Sequence, residues 1–223
     1  MNKISLRIIR SLPPELSHFL TIKLLKLKFL NSIIKNDPCL NQHIFGLDFS
    51  NPIGIAAGFD KNVDVVDPLL KLGFGFVEAG TVTPKKQYGN PKPRVFRLWE
   101  DKAIINNLGF NNKGAKYAKA QLIKLNLNNL SKGVVGINIG KNKESISAIE
   151  DYCSCLEELG PFAHYTTINI SSPNTPGLRE LQNRGNIEQL IQSLNKTRNS
   201  IKGLESKPLL LKISPDINKL ETL

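Results

Sequence analysis

From residue 44 onward the chain alternates short runs rich in glycine, valine and isoleucine with longer helical stretches, and this alternation leaves few folds open. Candidate strands are residues 53–57, 75–80, 134–139, 166–170 and 208–213; candidate helices are 63–72, 113–125, 147–159 and 187–201. Strands that are apolar throughout and joined by helices build a parallel sheet buried on both faces. Polar residues gather just after each strand, at 58–61, 81–84, 138–141, 169–174 and Lys212. Ligands of α/β proteins bind at the carboxyl ends of strands, so these five clusters are expected to meet at one site.

The cluster richest in chemistry is 169–179, Asn-Ile-Ser-Ser-Pro-Asn-Thr-Pro-Gly-Leu-Arg. Pro173 and Pro176 lack an N–H and push the residue before them out of the α region, which makes the segment a shaped turn instead of a helix. Its short hydroxyl and amide side chains suit a small polar ligand at a strand end. No G-x-G-x-x-G is present, and 136–141 has three residues between its glycines and no Ser or Thr after Lys141, which disfavours a dinucleotide or ATP fold.

With 40% hydrophobic and 22% charged residues, the 223-residue chain can bury one sizeable core. Cys39, Cys153 and Cys155 have no zinc spacing and read as reduced structural residues, and no metal site is expected. The formal charge of +11 is spread along the whole chain without a nucleic-acid-binding motif, so no nucleic-acid partner is expected. An apolar stretch of ~18 residues and a signal-peptide cleavage pattern are both missing, which taken alone suggests a cytosolic protein.

The first 40 residues differ in texture. Leu16, Phe19, Leu20, Leu24, Leu27, Leu30 and Ile34 follow a helical progression opened by Pro13 and Pro14. A shorter apolar set, Ile4, Leu6, Ile8, Ile9 and Leu12, precedes it, so residues 1–40 read as an amphipathic helical hairpin. Seven lysines and arginines between Met1 and Lys35 face the single acid Glu15. The apolar face either packs on the protein's own core or lies on an anionic membrane surface.

Six blocks then carry a resemblance: Ala56-Ala57-Gly58-Phe59-Asp60-Lys61, Gly80-Thr81-Val82-Thr83-Pro84, Pro93-Arg94-Val95-Phe96-Arg97-Leu98, Asn106-Asn107-Leu108-Gly109-Phe110-Asn111-Asn112, Gly136-Ile137-Asn138-Ile139-Gly140-Lys141-Asn142, and the 169–179 loop. In this order they resemble the class 2, quinone-dependent dihydroorotate dehydrogenases, from about residue 7 to about residue 216. The resemblance implies an α/β fold, a (β/α)8 TIM barrel with an N-terminal helical extension, that binds FMN and oxidises dihydroorotate to orotate in de novo pyrimidine (UMP) biosynthesis. It divides the chain into residues 1–40, for membrane and quinone access, and residues 41–223, a partial FMN-binding barrel.

By the same resemblance, Ala57, Gly58, Thr81, Asn138, Asn169 and Lys212 hold the flavin. Lys61, Asn106, Asn107, Leu108, Gly109, Phe110, Asn169 and Asn174 hold the substrate, with Lys61 on its carboxylate. Ser172 is the catalytic base, Thr175 and Phe110 mark its proton path, and His18 and Arg97 lie near the quinone. Serine at 172 together with the N-terminal helices points to a quinone acceptor, ubiquinone or another membrane quinone. The location implied is peripheral, on the cytoplasmic face of the inner membrane or on the mitochondrial inner membrane, which replaces the cytosolic reading.

Asn107 departs from the arginine more usual in the family. A (β/α)8 barrel takes about 250 residues, and five barrel strands are legible here, so the barrel is expected to be C-terminally incomplete, unstable alone and a weak FMN binder. The alternatives are a non-catalytic fragment or half of a split enzyme, and a soluble flavin-dependent dehydrogenase of a dihydropyrimidine.

Overall fold

The structure, a computed structural model, describes residues 9–27, 37–130 and 133–215. Its centre is a five-stranded parallel sheet in the order β3 (Gly54–Ile55), β4 (Phe76–Val82), β7 (Val134–Ile139), β8 (Tyr165–Asn169), β9 (Leu209–Lys212). Between the strands lie α2 (Val66–Lys71), α3 (Ala115–Leu125), α4 (Ala148–Leu159) and α5 (Arg184–Asn199). Side chains alternate across the sheet with the period of two that strand geometry imposes. Ile137, Ile139 and Ile168 turn outward into the core, against Leu122 of α3, Tyr152 and Leu156 of α4, and Leu190 and Leu194 of α5. Each such side chain contributes about 1.5–3 kcal/mol relative to exposure. Glu78, Asn138, Thr167 and Asn169 turn the other way and bond to one another, so the inner face is polar.

Residue identity decides how closely the strands approach. At Gly80, with φ +129°, a Cβ would sit 2.3 Å from the carbonyl oxygen of Asn138, so only glycine lets β4 and β7 meet there. Strand β3 is shorter than the expected 53–57. The chain leaves the ladder after Ile55, and Gly58, at φ +113°, instead donates its N–H to Gly80 O at 2.7 Å. The other strands and helices fall within a few residues of their expected positions, and β7 coincides with its expected span. Among the described residues β3 and β9 are sheet edges and the barrel is not closed.

Two antiparallel hairpins went unforeseen: β1 (Gln42–Ile44) with β2 (Leu47–Phe49), and β5 (Val95–Leu98) with β6 (Ala103–Asn106). The first turns on Phe45 and Gly46 at φ 54° and 74°, the two positive values of a type I′ turn, with phenylalanine where asparagine or aspartate is usual. The second reverses through Trp99 to Lys102, a stretch without glycine or proline.

Helix α1 (Pro14–Lys26) matches the first part of the expected amphipathic helix; Leu30 and Ile34 lie outside the described residues. Residues 9–11 are helical, whereas Ile4, Leu6 and Ile8 of the other hairpin arm are also outside them. Leu25 is buried and Ile22 packs on the core, while Leu16, Phe19, Leu20, Leu24 and Leu27 are exposed. Two arginines next to the β5 hairpin fasten this end. Arg94, itself buried, donates to Glu15 Oε1 at 2.8 and 3.1 Å. Arg97 donates to the carbonyls of Arg10 (2.8 Å) and Leu12 (2.6 Å) and to Ser17 Oγ (3.0 Å). Burial acts to raise the Glu15 carboxyl, but the Arg94 guanidinium outweighs it and holds the group below the ordinary carboxylate value.

Cys155 is buried in the core and Cys153 packs beside it. Cys39 is exposed, which corrects its reading as a structural residue: it precedes the β1 hairpin, where no core covers it.

Candidate active site

At the carboxyl ends of the strands lies a cleft of about 260 Å³. Ala57, Gly58 and Lys61 reach it from the turn after β3, Thr81 from β4, Asn169 from β8, and Lys212 from β9, where it is the register partner of Asn169. Asn106 at the end of β6 and Leu108, Gly109 and Phe110 just after it line the cleft too, and the serine loop adds Ser172 and Asn174. The end-of-strand clusters therefore converge, and Lys61, Ser172 and Lys212 share one wall-to-wall space.

Asn138 lies behind the cleft, fully buried. Its Oδ1 accepts from Thr81 Oγ1 (2.6 Å) and Asn169 Nδ2 (3.2 Å). Asn169 Nδ2 also donates to Thr81 Oγ1 at 3.0 Å, and its backbone oxygen accepts from Tyr152 OH at 2.7 Å. Gly140 makes room for this packing, since a Cβ there would meet Thr81 Cγ2 at 2.7 Å and Phe110 Cε2 at 3.0 Å. Asn107 does not line the cleft; its Oδ1 accepts from Asn90 Nδ2 at 2.7 Å. Thr175 is buried beneath the serine loop.

Ser172 Oγ accepts the N–H of Asn174 at 3.2 Å, a local turn bond that holds the loop. Three residues with a bearing on the site escaped the sequence reading. Asn90 Nδ2 donates to Asn174 O at 3.3 Å as well as to Asn107, tying the hairpin to the serine loop. Ser171 anchors that loop on Asn169 Oδ1, through its N–H (3.2 Å) and its hydroxyl (2.8 Å). Asn111 lines the cleft, and its Oδ1 is buried with no hydrogen-bond partner. Ser171 and Asn111 lie within blocks singled out from the sequence but had no role of their own there, and Asn90 lies outside those blocks.

A second cleft, of about 570 Å³, opens under α1, lined by His18, Phe19, Ile22 and Phe59 on one side. Lys61 and Asn111 line both clefts and so form the partition. His18 stacks edge-on against Phe59 at 5.4 Å and donates from Nε2 to Phe59 O at 2.7 Å. Burial and the nearby Lys61 ammonium hold the imidazole below its ordinary value, which favours the neutral ring. Arg97 is not on this cleft, being committed to the start of α1 and to Trp99, 5.6 Å from its ring. Lys61 donates to Gly58 O, and burial brings its ammonium down to about 8, with Arg94 adding to the drop and Glu15 opposing it. His43 and His164, without assigned roles, bond to Asp48 and to the Val135 N–H.

The sequence matches the family profile described as dihydroorotate dehydrogenase over residues 39–223. The chain belongs to the dihydroorotate dehydrogenase family. Curated relatives named dihydroorotate dehydrogenase (quinone) include one from Rhodopseudomonas palustris (strain BisA53), 46% identical over 215 residues, 96% of this chain and 58% of the relative. Another, from Novosphingobium aromaticivorans, is 48% identical over 208 residues, covering 92% of this chain and 58% of the relative. A crystal structure of dihydroorotate dehydrogenase from Eimeria tenella in complex with ferulenol superposes with a TM-score of 0.87 at 40% identity, over 93% of this chain and 61% of that one. The chain thus spans about 58% of the length of these curated relatives. The sheet and its helices are the five-strand portion of the family's TIM barrel, preceded by an N-terminal helix. Dihydroorotate dehydrogenases are flavin-dependent.

Proposed function

We propose that this chain carries the substrate-binding and base-bearing part of a quinone-dependent dihydroorotate dehydrogenase of pyrimidine biosynthesis. The observation that carries the proposal is the convergence of Lys61, Asn106, Ser172, Asn174 and Lys212 on one cleft, from four separate segments. A planar anionic pyrimidine needs a cation for its carboxylate and amides around its ring, and Lys61 with Asn106, Asn169 and Asn174 supplies them. The donor set also fits the polar edge of a flavin. Thr81, Asn169 and Lys212 bring hydroxyl, amide and ammonium groups, with Asn138 bonded to Thr81 and Asn169 from behind, Ala57 and Gly58 bring backbone close to the cleft, and Asn111 keeps an unpaired buried acceptor there.

Bound FMN would accept the hydride equivalent that leaves C6 of dihydroorotate. Ser172 Oγ would take the proton from C5, which asks for a closed loop with little water. Lys61 would hold the carboxylate and fix the ring's position, and the fixed charge of Lys212 would favour negative charge accumulating beside it.

Lys61 makes the reading testable without a flavin. The ammonium form binds the carboxylate; it is populated below about 8 and lost above it. Calorimetric titration of the chain with dihydroorotate is expected to give a flat dissociation constant below that value and a loss approaching about tenfold per pH unit above it. Lys61→Met should weaken binding by about 30-fold or more and abolish the pH dependence. No binding by the unaltered chain, or equal binding by the variant, removes the proposal.

Residues 1–40 would form the membrane- and quinone-facing unit and 41–223 the flavin- and substrate-facing one. Support comes from the exposed Leu16, Phe19, Leu20, Leu24 and Leu27 of α1, which also bears Lys23 and Lys26, above a cleft that reaches Lys61. Among the described residues no helix is long and apolar enough to cross a membrane. The arrangement suits peripheral attachment to the cytoplasmic face of an inner membrane, or to the mitochondrial inner membrane. The chain should therefore co-sediment with anionic vesicles, and a form lacking residues 1–40 should not; equal sedimentation of both would rule the extension out as the anchor.

A further inference from the structure

Glu78 stands on β4, below the cleft and outside its lining. Its carboxylate gathers three donors: Asn138 Nδ2 to Oε1 at 2.7 Å, and Thr167 Oγ1 (2.9 Å) and Tyr165 OH (3.1 Å) to Oε2. The strand opposite is shaped for this. At Gly136 a Cβ would lie 2.1 Å from Tyr165 Cζ, so glycine on β7 is what lets the tyrosine ring cross to the acid. No side-chain hydrogen bond joins the acid to the proposed base or substrate groups directly.

A carboxylate only accepts, whereas a carboxamide has a donating and an accepting end. Facing Glu78, Asn138 must present Nδ2, which turns its Oδ1 toward Thr81 Oγ1 (2.6 Å) and Asn169 Nδ2 (3.2 Å). With its Nδ2 spent there and on Thr81, Asn169 presents Oδ1 to the N–H and hydroxyl of Ser171. Ser171 is the residue before the proposed base. One acidic group thus fixes the direction of two buried amides and of the anchor that holds the serine loop.

We propose that Glu78 is a positioning residue for this site, setting the donor-acceptor polarity that runs from the inner sheet face through Asn138 and Asn169 to Ser171. The proposal rests on the reading of Ser172 and Asn169 as site residues, but its primary readout needs no ligand. In the ¹⁵N-labelled chain, Glu78→Met keeps the side-chain length and removes the acceptor. The expected result is loss of the protected side-chain amide signals of Asn138 and Asn169 together with a shift of the Ser171 N–H. Dihydroorotate should then bind roughly tenfold more weakly. Glu78→Gln, which retains one acceptor for Asn138, should keep those signals near their original positions. Unchanged Asn169 and Ser171 signals in Glu78→Met overturn the proposal even where the melting point falls, because a packing role alone would leave the distant anchor in place.

Should Glu78→Met fail to fold, the exchanged pair decides the matter. Asn138→Asp sets two carboxylates face to face and should displace the Ser171 signal. Adding Glu78→Gln gives the new acid a donor while it still accepts from Thr81 and Asn169, so the double variant should recover the signal. A double variant no better than Asn138→Asp overturns the proposal. If the unaltered chain ignores dihydroorotate, the function reading fails, while the amide signals still judge Glu78.

Discussion

Ser172→Ala, made in a form of the protein that turns over, is expected to lower kcat by about 10²–10⁴ while flavin content and orotate affinity stay as they were. The hydroxyl accepts the Asn174 N–H at 3.2 Å, and its own hydrogen is uncommitted among the described residues. Alanine removes the oxygen and little else: the loop remains pinned through Ser171 on Asn169 and through Asn90 on Asn174. The substrate contacts proposed for Lys61, Asn106 and Asn174 come from other side chains, so ground-state binding should survive. The loss therefore belongs in kcat, as for an interaction made only in the transition state. A variant with kcat within about threefold of the parent would remove serine from the role of base, and one that loses orotate affinity instead would make it a binding residue.

Asp60→Ala should destabilise the fold by about 3–6 kcal/mol, a large share of the 5–15 kcal/mol typical of a domain. Asp60 is 1% exposed, and its carboxylate accepts three backbone N–H groups: Val65 at 2.7 Å, Asp64 at 2.8 Å and Asn62 at 3.2 Å. Between these donors sits Val63 at φ 63°, a value a β-branched residue rarely adopts and keeps only when its surroundings enforce it. Alanine would leave three buried donors unpaired and release Val63, loosening the turn that aims Lys61 and leads into α2. Urea unfolding followed by circular dichroism measures this, and Asp60→Asn, which keeps one acceptor, should lose less. A midpoint for Asp60→Ala that matches the parent would show that the turn holds without the acid.

The sequence was most informative where one physical pressure dominates. Strand β7 is buried at every position, so its apolar run, broken only by Asn138, had one good explanation and its ends were clear. Lys61, Ser172 and Lys212 were legible because each lies at the end of a strand or in the turn after it, and barrel geometry brings such positions together. The two hairpins were hidden because their turns depart from the usual pairs: Phe45 takes a positive φ that asparagine normally marks, and the reversal after Leu98 has neither glycine nor proline. Asn90 and Asn111 sit in the stretch from 84 to 112, where polar residues are too common for any one to stand out. The importance of Asn90 lies in partners 17 and 84 positions away, a relation no local pattern carries.

The partition between the two clefts has a thermodynamic side. Lys61 borders both spaces, and its ammonium is already close to giving up its proton. An anion admitted from either side retains that proton, and an uncharged molecule that drives out water encourages its release. A ligand beneath α1 that changes the protonation of Lys61 would therefore be linked to affinity on the far side, and by reciprocity a ligand there would alter affinity beneath α1 by the same factor. Two compartments divided by one such lysine would then act as a single coupled system, with no movement of the backbone required.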